Sequence, residues 1–192
     1  MSAVQSRMQP LGTLATDFSL PNVRQHQQFV SLSDFAGQPV LFMFICNHCP
    51  FVIHLLDQLS AIGNHYQGLG FGVLAISAND VQHYPQDGPE QMRGFADKHR
   101  FEFPYAYDET QSVAQAYGAA CTPDFFVFDR THKLVYRGQM DGSRPSNDQP
   151  PTGNDLRAAL EAVLNSQLPD PQQTPSIGCN IKWKPGNEPK LY

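Results

Sequence analysis

The sequence predicts an α/β fold whose sheet mixes parallel and antiparallel strands, and three observations carry that prediction. Residues 40–45 (VLFMFI) and 71–77 (FGVLAIS) are continuous apolar runs of strand length, the pattern of strands buried on both faces of a sheet. Between them Val52, Leu55, Leu56, Leu59, Ile62 and Tyr66 recur at helical spacing and form one apolar stripe. Strand, helix and strand in that order make a βαβ unit, whose crossover is right-handed. Further on, DFFVFD and HKLVYRGQ flank Arg130 and Thr131, a hairpin signal that adds antiparallel strands.

The other elements follow in chain order. TDFSLPNV and QQFVSLSDFAG read as a short strand pair joined by a polar turn, an N-terminal β extension punctuated by Gly37 and Pro39. Pro50 suits the first turn of the striped helix, where its missing N–H would have no partner. A polar loop carries Asn79, Asp80, Tyr84, Asp87, Gly88 and Pro89; EQMRGFADKHR and QSVAQAYGA then read as two short helices. NDLRAALEAVLNSQ is a final helix with Asn154 or Asp155 as its N-cap. Residues 167–192, rich in Pro and polar groups, are expected to lie as an extended tail on a single domain spanning 1–192.

Composition narrows the function. With a formal net charge of −5 and no run of Lys or Arg, the chain lacks the basic footprint of a nucleic-acid or anionic-membrane partner. No stretch approaches the roughly 18 apolar residues of a membrane span, and MSAVQSRMQPLGTLATDFSL has no signal-peptide core. The expected home is the cytoplasm, where thiols stay reduced, and the four cysteines are too scattered for a disulfide framework.

Two of those cysteines, Cys46 and Cys49, stand where the first buried strand meets its helix. Unpaired N–H groups and the helix dipole favour a thiolate there, and the two-residue spacing lets the sulfurs meet in a small-ring disulfide. A C-x-x-C beside a βαβ pattern signals thioredoxin-like chemistry. Cys46, on the loop side, is expected to be the more exposed and attacking thiol; Cys49, before Pro50, the more buried and resolving one. Asn47 and His48 lie between them, with His48 able to give the thiolate a hydrogen bond or a positive charge. Further along, Thr122 and Pro123 immediately precede a strand, the position where thioredoxin-like folds place a cis-proline facing the cysteine pair, and by that likeness the two are expected to orient the substrate backbone. Cys121 and Cys179 are candidate relay cysteines; the bland alternative is that both only pack.

The segments DFSLPNV, SLSDFAGQPVLFMFICNHCPF, ISANDVQHYP, YGAACTPDFFVFD, YRGQMDGSRP and PSIGCNIKWK together resemble the thioredoxin superfamily. More narrowly they resemble the peroxiredoxin-like group of the alkyl hydroperoxide reductase/thiol-specific antioxidant family. The resemblance implies a central mixed β-sheet with helices on both faces and a thiol–disulfide active site at Cys46 and Cys49. It departs from true peroxiredoxins: Cys49 aligns with the peroxide-reactive cysteine, but Cys46 and Phe42 stand where Thr or Ser and Pro are usual. It also departs from thioredoxin, since Val40 replaces the buried Asp that serves as proton acceptor.

The expected activity is therefore thiol–disulfide exchange on protein or small-molecule disulfides, with an external thiol donor of electrons and no cofactor or metal. A thiol peroxidase acting through Cys49 is the first alternative. Copper or zinc held by the cysteines with His48, His54, His65 or His132 is the second. Arg137, in the segment around Tyr136 and Gln139, reads as part of a surface ion pair, and the loop of Asn79 and Asp87 as polar surface.

Overall fold

The computed structural model describes residues 3–25 and 27–189. In chain order the strands are β1 (Ala3–Gln5), β2 (Ser19–Pro21), β3 (Phe29–Ser31), β4 (Val40–Phe44) and β5 (Gly72–Ser77). They continue as β6 (Tyr105–Tyr107), β7 (Cys121–Thr122), β8 (Asp124–Phe128), β9 (Leu134–Gly138) and β10 (Ile177–Asn180). The helices are α1 (Pro50–Gly68), α2 (Pro89–Lys98), α3 (Ser112–Ala116) and α4 (Asn154–Leu164).

Five strands form the central sheet in the order β6-β5-β4-β8-β9. The β4–β5 and β5–β6 pairs are parallel; β8 and β9 join antiparallel, as the βαβ unit and the hairpin predict. Strand β4 is apolar throughout because both of its faces are covered. Val40, Phe42 and Phe44 point into one apolar layer, Leu41 and Met43 into the other, by the two-residue alternation of a strand.

The first layer is aromatic. Phe42 meets Phe18, Phe128 and Tyr117 with ring centroids 5.5, 5.6 and 5.8 Å apart, and α3 and the β2–β3 ribbon close over it. The opposite layer receives the whole predicted stripe of α1 with Met92 of α2 and Leu156 and Leu160 of α4, so helices cover both faces. At roughly 25 cal/mol per Å² of apolar surface, this two-sided burial is the main force holding β4 in place, and the cysteine turn with it.

Two local expectations are corrected. The N-cap of α4 is Gly153 in a left-handed conformation (φ 73°), not Asn154 or Asp155. The capping charge comes from across the fold: Asp141 Oδ2 accepts the N–H groups of Thr152 and Gly153, each at 2.6 Å. The tail, expected to be merely extended, contributes β10 as the middle strand of a second sheet ordered β1-β10-β7. Beyond β10, Lys182 is tied to the domain through Asn79 and Gln111, with Lys182 N–H donating to Asn79 Oδ1 at 2.9 Å.

Candidate active site

Strand β4 delivers the chain to the site. Ile45 makes one further bond toward β5, its N–H donating to Ile76 at 2.9 Å; Cys46 then leaves the sheet, and Cys49 becomes the N-cap of α1 with Pro50 in the first turn. A helix start leaves N–H groups without internal partners, and those of α1 face sulfur. Facing the turn from β7, Thr122 has its hydroxyl 3.4 Å from Cys46 Sγ and its carbonyl 3.1 Å from Cys49 Sγ. The Thr122–Pro123 bond is cis, as the sequence predicts.

The expected difference in exposure is absent: Cys46 is 1% exposed and Cys49 0%. The loop after β5 accounts for it by folding onto the turn. Asn47 donates its backbone N–H to Asp87 Oδ1 at 2.9 Å and its side-chain amide to Gln86 O at 2.9 Å. This loop is not polar surface, since Asn79, Asp80 and Asp87 are all buried.

The two sulfurs differ instead in charge. Cys49 receives a hydrogen bond from the Cys46 thiol, which outweighs the opposing effect of burial; with help from Cys179, Thr122 and the Val52 N–H its pKa falls to about 5. The same contact with Cys49 raises Cys46 well above its ordinary value, and burial and the Asp87 carboxylate raise it further. When protonated, Cys49 donates to the Thr122 carbonyl at 3.1 Å. The surroundings thus push the two thiols apart, Cys49 downward and Cys46 upward.

Asp87 is the functional residue that sequence reasoning missed as an acid. It sets a buried carboxylate on the Cys46 side of the pair, where its charge raises Cys46. Its Oδ2 lies 2.6 Å from His48 Nδ1, at an angle poor for a hydrogen bond, and accepts the Asn79 amide at 2.8 Å. Ligand atoms of Cys46, His48 and Asp87 all fall within 4.8 Å of one another. His48 also stacks on Tyr84, ring planes 5° apart.

That trio could offer a metal one thiol, one imidazole and one carboxylate, while Asp87 also accepts hydrogen bonds from Asn47 and Asn79. The other histidines considered for copper or zinc are engaged elsewhere. His54 meets Ser143 at 2.6 Å, His132 meets the Phe35 carbonyl at 3.1 Å, and His65 packs on Tyr66. A cavity of about 510 Å³ bordered by Arg7, Gln115, Asn180 and Trp183 is not lined by any cysteine.

Arg137 is fully buried, not on the surface. Its Nη2 pairs with Asp124 at 3.2 Å and donates to the Gly118 carbonyl at 2.6 Å, and the guanidinium lies 4.6 Å from the Phe126 ring centre. Cys121 points its thiol toward the Pro123 carbonyl at 3.6 Å, and burial raises its pKa beyond the useful range. Cys179, by contrast, lies against Cys49.

The mixed sheet, the helices on both faces and the paired thiols opposite a cis-proline define a thioredoxin-like redox protein. The model of the AhpC/TSA family matches residues 11–137, and the chain belongs to that family. The chain is similar over most of its length to a conserved protein of Geobacillus kaustophilus, at 51% identity and TM-score 0.93, covering 97% of this chain and 98% of that one. A protein of Sinorhizobium meliloti 1021 matches at 45% identity and TM-score 0.91, covering 95% and 99%. The thiol-disulfide oxidoreductase ResA of Geobacillus thermodenitrificans is 28% identical over 160 residues, 80% of this chain and 78% of ResA.

The cytoplasmic expectation does not stand. The fold is shared, at 14% identity and TM-score 0.58 over 76% of this chain and 95% of the other, with a secreted disulfide oxidoreductase of Mycobacterium tuberculosis. Cysteine number and composition therefore do not assign a compartment. Among the described residues no helix is long and apolar enough to cross a membrane.

Proposed function

We propose that the protein is a thiol–disulfide oxidoreductase in which Cys49 opens a substrate disulfide and Cys46 resolves the mixed disulfide. The observation carrying this reading is the pairing of two unequal thiols at the head of α1, Cys46 hydrogen-bonded to Cys49 and both facing Thr122. The Cys49 thiolate attacks one sulfur of the substrate, and the other leaves as a thiolate. Cys46 then gives up its proton toward His48 and Asp87 and attacks Cys49 Sγ, closing the Cys46–Cys49 disulfide and releasing the second substrate thiol. An external thiol returns the pair to the reduced state. ResA acts in the same chemical class by its name.

The test follows reduced protein mixed with oxidised glutathione, quenched with acid and mapped by mass spectrometry. The reading expects a Cys46–Cys49 disulfide in the wild type, no exchange in Cys49→Ser, and a first attack that survives in Cys46→Ser. Exchange that survives in Cys49→Ser but not in Cys46→Ser would reverse the roles. The peroxidase alternative has the ionised Cys49 in its favour; hydrogen peroxide reacting faster than the disulfide, with sulfenic acid at Cys49, would replace the exchange reading with it.

A further inference from the structure

We propose that Cys179 is a second resolving thiol, competing with Cys46 for the sulfur of Cys49 and giving an internal Cys49–Cys179 disulfide. This rests on the exchange reading above and deepens it.

The placement comes from strand register. In the antiparallel β10–β7 pair Cys179 stands opposite Thr122, and Asn180 opposite Cys121. Directly opposed residues project to the same face, and successive residues to opposite faces. Cys179 therefore shares the face of Thr122, the residue that meets both Cys46 and Cys49, while Cys121 projects away from it. Gly178 permits the close approach. A Cβ there would lie 2.1 Å from the Thr122 carbonyl oxygen and 3.1 Å from Pro123 N, both backbone atoms. On its other edge β10 is held by β1, with Ala3 opposite Cys179.

The sulfur sits at the same helix start as Cys49. The Phe51 N–H lies near Cys179 and the Val52 N–H near Cys49, and the two sulfurs are close enough for each to shift the ionisation of the other. Burial followed by that contact pushes Cys179 up to about 12, so it rests as the thiol beside the Cys49 thiolate. Cys179 is 3% exposed and belongs to the same apolar cluster as Cys46 and Cys49.

The step balances without a further reagent. Once Cys49 carries half of a substrate disulfide, the departing substrate thiolate takes the Cys179 proton. Cys179 attacks Cys49 Sγ, the Cys49–substrate bond breaks, and the second substrate thiolate leaves with the electron pair. One substrate disulfide is reduced to two thiols, and two protein thiols become one disulfide.

The test uses the full chain as wild type, Cys46→Ser, Cys46→Ala and Cys46→Ser/Cys179→Ser, each reduced, mixed with oxidised glutathione, quenched and mapped. Both Cys46 variants should form the Cys49–Cys179 cross-link. In the double variant glutathione on Cys49 should persist at least about tenfold longer, because the neighbouring thiol has a large effective concentration. A persistent glutathione adduct on Cys49 with Cys179 still alkylatable in Cys46→Ser overturns the inference, as does a cross-link to Cys121. Should the Cys46 variants lose their far-UV circular dichroism, wild type sampled at early times must show the Cys49–Cys179 species, or the inference falls. Wild-type protein inert to the disulfide takes down the exchange reading and this inference together; normal wild-type closure of Cys46–Cys49 without the second cross-link in the variants removes this inference alone.

Discussion

Removing the Cys46 thiol should raise the pH at which Cys49 ionises. Cys49 ionises at about 5, against 9.0 for an ordinary thiol of this kind. That difference is on the order of 5 kcal/mol in favour of the thiolate. The Cys46 hydrogen bond is its largest source. A hydrogen bond to a charged group contributes about 1.5–3 kcal/mol, so Cys46→Ala should move the Cys49 midpoint up by about one to two pH units. Cys46→Ser keeps a donor hydroxyl and should move it less.

Thiolate absorbance in the ultraviolet, followed through a pH titration and corrected with Cys49→Ser, reads the midpoint without requiring a reagent to enter the buried site. The stability of the protein supplies an independent check. An acid whose folded value is depressed stabilises the fold fully above its unfolded value and loses that contribution as pH falls through the folded one. Cys49 should thus make stability rise with pH between about 5 and 9. Cys46 has the opposite sign: its raised value contributes below the ordinary thiol range and is lost as pH climbs through the raised value. A wild-type midpoint near that of an ordinary thiol, or a midpoint unmoved by Cys46→Ala, would refute the reasoning.

Three further outcomes are expected. Asp87→Asn keeps the shape of a side chain bonded to Asn47 and Asn79 but removes the charge facing Cys46; Cys46 should ionise at lower pH, and single-turnover closure of the disulfide should slow by about tenfold or more near neutrality. Arg137→Met leaves Asp124 buried without its partner and should cost about 3–5 kcal/mol in denaturant unfolding. Burial already pushes Asp124 up to about 6 despite Arg137, and without Arg137 it should rise further, so that penalty should shrink as pH falls toward about 6 and change little below it. Gly178→Ala sets a methyl group against the Thr122 carbonyl and should cost about 1–3 kcal/mol while abolishing the Cys49–Cys179 cross-link.

What the sequence made legible is what short-range pattern encodes. The two apolar strands, the stripe of α1 and the β8–β9 hairpin each declare themselves within a few residues. So do the cysteine pair and the cis-proline. The rest depends on long-range closure. Asp87 is one polar residue in a polar loop until the loop folds over Asn47. Arg137 looks like a surface charge because its neighbours in sequence are polar; its partner Asp124 and its ceiling Phe126 come from the adjacent strand. Cys179 lies in a tail whose pattern is too brief for a strand signal, and only the pairing of β10 with both β1 and β7 brings it to the site.

The departures from the thioredoxin pattern fit together once charge is considered. Val40 could not carry a buried carboxylate toward the pair, because the residue fills the aromatic layer on the other face of β4. The buried carboxylate near the pair, Asp87, comes from the loop after β5 instead, on the side of Cys46 rather than Cys49. Two neighbouring titratable groups take separate roles when their surroundings push their pKa values apart. Here Cys49 is pushed down and Cys46 up, with the carboxylate on the Cys46 side, and the proposed mechanism uses that split: one sulfur attacks and the other keeps its proton until a mixed disulfide forms. Cys179, raised by burial and set against the same anion, meets the second requirement as well as Cys46 does. In the proposed mechanism that asymmetry makes Cys49 the sulfur shared by both internal disulfides.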